Sequence, residues 1–150
     1  MVPPVPPDVQ REPQSARPRF QLGPRRFRTP LSLAVVMDEA AVLRRVGGAD
    51  IMREQLAHLT SMAARPNVTI QVLPLGAGAH PATTGEFTIL SFPDLIAPDV
   101  VYLENMTSDL YVEQEAEVYR YGLAFDRLRN LALTPVQSVE FIASAADTIK

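Results

Sequence analysis

His80, in Gly78-Ala-His80-Pro81, is the residue of this 150-residue chain best placed for chemistry. Glycine lets backbone approach a bound group closely, and an imidazole near neutrality can serve as acid, base or hydrogen-bond partner. Glu104 and Asp109 fall just past the end of the extended run over residues 100–103, where the loops of α/β sheets gather ligands. Gln71, in Val68-Thr-Ile-Gln71-Val-Leu-Pro74, adds an amide to the strand that feeds the His80 loop. Two chemistries follow. Gln71, His80 and Glu104 together would bind a ligand, with no catalytic residue assigned. Alternatively, His80 with a carboxylate from Glu104 or Asp109 would form an acid/base pair acting on a small molecule. The plain structural reading is that His80 packs its own loop and Glu104 solvates a strand end.

The commoner catalytic signatures are missing. There is no Gly-x-Ser-x-Gly elbow, no phosphate loop and no His-Glu-x-x-His. Gly76-Ala-Gly78 follows a strand but opens no long helix, so it is not a dinucleotide fingerprint. With no Cys and only two His, neither a metal site nor a cofactor is expected. The second histidine, His58, sits beside Leu59 as a helix-flank residue.

The elements that must position these residues are legible from pattern. Residues 31–37 form a nearly continuous apolar run, predicting a first strand buried on both faces. Residues 38–45 suit a short helix with an acidic start and basic end, stopped by Gly47 and Gly48. From Asp50 to about Ala64, Met52, Leu56, Leu59 and Ala63 make one helical stripe, which Pro66 ends. Strand, helix and the next strand at Val68 make a βαβ unit, with parallel pairing as the default. In that second strand Val68, Ile70 and Val72 alternate with Thr69 and Gln71, predicting one less buried face. Residues 75–85 read as a long, functional type of loop. Further strands are expected over 87–92 and 100–103, joined by a hairpin-like return across 93–99, and one more short strand before Glu113.

Residues 115–132 carry Val118, Tyr121, Phe125, Leu128 and Ala132 on one helical face. Thr134-Pro-Val-Gln137 spells a capping box that starts a terminal helix, with Val136, Val139, Ile142, Ala146 and Ile149 as its expected buried stripe. The fold class is thus α/β: a mixed sheet of about four to five strands, a βαβ start and two C-terminal amphipathic helices.

Residues 1–30 hold eight of the fourteen prolines and six arginines against two acids, and read as a disordered arm. Residues 31–150 carry eight basic and fifteen acidic side chains, which argues against direct nucleic-acid binding by this chain. No apolar run approaches the roughly 18 residues of a membrane span, and no signal core opens the chain, so a cytoplasmic protein without a membrane partner is expected.

Many pieces occur in order: Val36-Met-Asp-Glu39-Ala-Ala, Val46-Gly-Gly48, Met52-Arg-Glu-Gln-Leu56, Pro66-Asn-Val-Thr-Ile-Gln-Val-Leu-Pro74 and Gly78-Ala-His80-Pro81. They continue through Gly85-Glu-Phe-Thr-Ile-Leu90, Val101-Tyr-Leu-Glu104, Asp109-Leu-Tyr111 and Leu131-Ala-Leu-Thr-Pro-Val-Gln-Ser138. Over residues 31–150 this resembles the C-terminal domain, itself of unknown function, of actinobacterial helix-turn-helix transcriptional regulators of the XRE type, also called antitoxin-like. The resemblance implies transcriptional regulation, with this part sensing an unknown small molecule or a small protein partner without catalysis. Relatives usually carry a helix-turn-helix and a helical lead-in where this chain has its Pro/Arg-rich stretch. The chain therefore reads as a truncated relative lacking its own DNA-binding domain. A missing lead-in is expected to leave an apolar face for a partner or for homo-oligomer formation.

Overall fold

β1 (Leu33–Asp38) and β2 (Val68–Leu73) pair in parallel, in register from Leu33 with Val68 to Asp38 with Leu73. Between them run α1 (Glu39–Leu43) and α2 (Ala49–Ala63), completing the βαβ unit that the sequence indicates. A computed structural model describes residues 31–92 and 97–149, which belong to one unit, Leu31–Lys150. The arm expected over 1–30 and most of the return expected across 93–99 lie outside the described residues.

Local chemistry fixes each junction of this unit. The Asn67 side chain donates to the Leu31 carbonyl at 2.7 Å and the Leu33 N–H donates to the Asn67 carbonyl at 2.8 Å, so the turn before β2 holds the start of β1. Asp38 ends β1 and caps α1, its carboxylate accepting the Ala40 N–H at 2.7 Å. α1 stops at Leu43, ahead of Arg44 and Arg45, so the basic end expected for the helix falls just beyond it.

The core gathers Val42 of α1, Met52 and Leu56 of α2, Val68, Ile70 and Val72 of β2, and Ile142 and Ala145 of the last helix. Side chains alternate along a strand, so Val68, Ile70 and Val72 face this cluster while Thr69, Gln71 and Leu73 point to the opposite side. That side is the domain of α3 (Glu115–Leu131), whose Leu128 is buried. Helices therefore cover β2 on both faces. Gln71 is only 7% exposed, against the expectation of a less buried face.

β1 differs in the other direction. The apolar run predicts burial on both faces, yet Leu33 is 42% exposed and Val35, Val36 and Met37 are half-buried. The helices pack over β2, which leaves β1 at the rim of the layer.

Three further strands, β3 (Thr88–Leu90), β4 (Val100–Glu104) and β5 (Asp109–Val112), form an antiparallel sheet in the order β3-β4-β5. Its buried pair is Val101 and Val112, directly opposite each other. The α/β class, the five strands and the two C-terminal helices are as the sequence indicates, but the strands form two hydrogen-bonded sheets rather than one. The outer edge of β2 is already occupied, which explains why no third strand joins it. The Val72 N–H donates to Ser138 Oγ at 2.9 Å, and the Val72 carbonyl accepts from the Leu133 N–H at 2.8 Å. The connection into α4 (Pro135–Thr148) thus occupies the place of a neighbouring strand.

Candidate functional site

Leaving β2, the chain turns through two short 3₁₀ helices, Leu75–Ala77 and Pro81–Thr84, where the sequence suggests irregular loop. Glu39 anchors the first, its carboxylate accepting the Leu75 N–H at 2.8 Å. Gly78 and Gly85 flank the second at φ +71° and +148°, conformations that L side chains rarely adopt. Between those glycines the His80 carbonyl accepts from Thr83 Oγ1 at 2.6 Å and from the Thr83 N–H at 3.2 Å. The backbone of His80 is thereby fixed while its ring remains uncommitted. His80 Nδ1 is buried and has no hydrogen-bond partner.

His80 lines a cavity of about 540 Å³. Val36, Met37 and Asp38 of β1 and Leu73 of β2 form one wall. Phe87 and Thr88 at the start of β3, with Tyr102 and Glu104 of β4, form another. Phe125 and Leu128 of α3 close it, and Glu86 stands beside Phe87. The cavity lies where the two sheets fail to join. A volume in this range, walled by apolar side chains with a few polar groups, is the usual form of a small-molecule site.

His80 and Glu104, picked out from sequence as ligand-binding candidates, are thus brought to one cavity. Gln71 is not. Its side-chain amide donates to the Leu133 carbonyl at 2.9 Å and to the Arg129 carbonyl at 3.2 Å, tying β2 to the end of α3. Asp109 stands opposite Glu104 across the β4–β5 ladder and does not line the cavity. It does act on Tyr102. Partial burial first, then the hydrogen-bonding and negative charge of Asp109, then Glu104 and Tyr111, push the Tyr102 phenol up from 10.0 to about 12. The Tyr102 ring also packs at a tilt of 45° against that of Tyr111, its cross-strand neighbour, with centroids 5.1 Å apart.

Sequence reasoning missed Asp38, Glu86, Phe87 and Phe125 as cavity residues. Asp38 signals itself only as a helix cap, and Phe125 only as part of an amphipathic stripe. Phe87 adds a ring contact to Tyr121 of α3 at 5.1 Å, which fixes the second sheet against that helix. Local periodicity reports which face of an element is apolar, not that two apolar faces stop short of meeting. Among the described residues no group of three or more His, Asp or Glu side chains is arranged to hold a metal ion. No described helix is long and apolar enough to cross a membrane.

A second, shallower groove of about 440 Å³ lies on the far side of β2, lined by Val68, Ile70, Val136 and Glu140 among others. It offers a single ionisable side chain.

The fold and cavity define an α/β domain with room for a small molecule between two sheets. Over residues 3–144 the chain matches the family described as "Domain of unknown function (DUF5753)", and it belongs to that family. The match takes in nearly all of the Pro/Arg-rich residues and the described unit as far as residue 144. No curated protein and no solved structure matches the chain.

Proposed function

We propose that this chain is a non-enzymatic effector module that binds a small molecule in the cavity between its two sheets. The observation that carries the reading is the cavity itself, about 540 Å³ with apolar and aromatic walls interrupted by His80 and by the carboxylates of Asp38, Glu86 and Glu104. Concave apolar surface with a few polar groups is the form in which proteins hold small molecules. The ordered pieces that resemble XRE-type regulators supply the context: a sensing domain whose ligand state is read out by a transcriptional partner. The acidic balance of residues 31–150 supports a role apart from direct duplex contact.

A thermal-shift screen of small molecules tests this reading, with Ala82→Phe as the control that fills the cavity from its wall. Compounds that raise the melting temperature of the wild-type chain should lose their effect on the variant. Specific duplex binding by the chain alone, with a steep salt dependence, would contradict it.

The rival reading, an enzyme using His80 with Glu104, draws on their shared cavity. It requires turnover of a bound compound that His80→Ala abolishes while the fold persists.

A further inference from the structure

The walls of the cavity carry charge of one sign. Asp38, Glu86 and Glu104 line it, and no lysine or arginine appears among its described lining residues. These carboxylates are spread round the walls instead of converging, since no three acidic or imidazole side chains are arranged to hold a metal ion. All three residues are exposed, and one oxygen of Asp38 already accepts the Ala40 N–H. The remaining surface is apolar and aromatic, with Phe87, Tyr102 and Phe125 contributing rings.

We infer that the cavity takes an organic cation, a free small-molecule amine on an apolar or aromatic body. Three physical terms agree on this class. Carboxylates lining a partly enclosed cavity create a negative potential that concentrates cations, and the acidic balance of the unit adds to it. An ammonium group carries three N–H donors, and the Glu86 and Glu104 carboxylates are acceptors for them. Aromatic faces attract a cation through their quadrupole and accept an apolar body. An anionic ligand would meet three carboxylates and no counter-charge. A bare metal ion would find no convergent ligand set.

The inference rests on the cavity-binding reading above, and a matched probe set separates the two. Phenethylammonium, hydrocinnamate and phenethyl alcohol share a phenyl body and differ in charge. Each is titrated into the full chain and followed by calorimetry, with chemical-shift mapping to locate the site. Phenethylammonium should bind at least about tenfold more tightly than either analogue, the size expected for charge attraction at a partly screened site. It should shift Phe87, Tyr102 and Phe125. The double variant Glu86→Gln, Glu104→Gln changes two exposed side chains, retains its fold by circular dichroism, and should lose that preference.

If hydrocinnamate or phenethyl alcohol binds in the cavity as well as phenethylammonium does, the amine assignment is overturned and the cavity reading stands. Preference retained by the double variant, or mapped away from the cavity, also overturns the assignment. If none of the three probes shifts a cavity residue, the amine assignment falls, and a thermal-shift screen without cavity-dependent binders would remove the broader reading too.

Discussion

Tyr102 shows how the neighbours of a single side chain set its chemistry. It sits on β4 between the cavity and the Asp109 carboxylate, and partial burial together with that carboxylate holds its phenol protonated up to about pH 12. Ionising it would place a phenolate beside two acids. The direction has a consequence for stability. The folded state holds this proton more tightly than the unfolded chain, so the contribution is complete below pH 10.0 and is lost as the pH rises through about 12. Subtracting the ultraviolet titration of Tyr102→Phe from that of the wild type should isolate a phase with midpoint near 12, and Asp109→Asn should move it back toward 10.0. A midpoint unaffected by Asp109→Asn would remove Asp109 as a cause. Gln71 makes the complementary point. Chosen from sequence for its place on an alternating strand, it is buried and donates to two main-chain carbonyls, which is the work of a clamp. An amide on a strand face has the same sequence signature in either role.

Among the elements, the decisive junction is that of β2 with the α3–α4 connection. Ser138 is fully buried and accepts the Val72 N–H at 2.9 Å, while its hydroxyl donates to the Thr134 carbonyl at 2.9 Å. Removing that hydroxyl leaves a buried strand N–H unpaired, so Ser138→Ala should lower stability by about 1–3 kcal/mol in urea denaturation. Val136, two residues earlier on the same helix, is 70% exposed, and Val136→Ala should change stability by no more than about 0.5 kcal/mol. Equal effects would mean that the junction does not hold the strand. This pair also marks where pattern reading succeeds and where it stops. The capping box is plain in Thr134 and Gln137, and both of its bonds form: the Gln137 N–H donates to Thr134 Oγ1, and the Thr134 N–H donates to Gln137 Oε1. The stripe drawn from apolar residues put Val136 inside and passed over Ser138. A polar residue earns a core position here by satisfying a strand edge, and the edge is a property of tertiary structure. The same blindness explains the sheet. Strand identities are legible from β-branched runs, and the parallel pairing of β1 with β2 from the intervening helix. That β2 would already be paired along its outer edge, and so divide the strands into two sheets, depends on residues more than sixty positions away.

For the molecule as a whole, that division creates the space on which the functional reading depends. β1 and β2 with α1, α2 and α4 make the main core. The antiparallel sheet packs with α3, and the His80 segment crosses between the two groups of elements. His80 and Glu104 were findable from sequence as a histidine in a glycine-bounded loop and an acid at a strand end. Their meeting at one cavity follows from the layout of the two sheets. Asp38, Phe87 and Phe125 come from three elements whose patterns speak only of capping and packing. Shift mapping of any compound that stabilises the chain is the most direct test of this arrangement. The account predicts that Val36, His80, Phe87, Tyr102 and Phe125 respond together at saturation, because they wall one cavity. Responses confined to Val136, Val139 and Glu140, on the opposite groove, would contradict it.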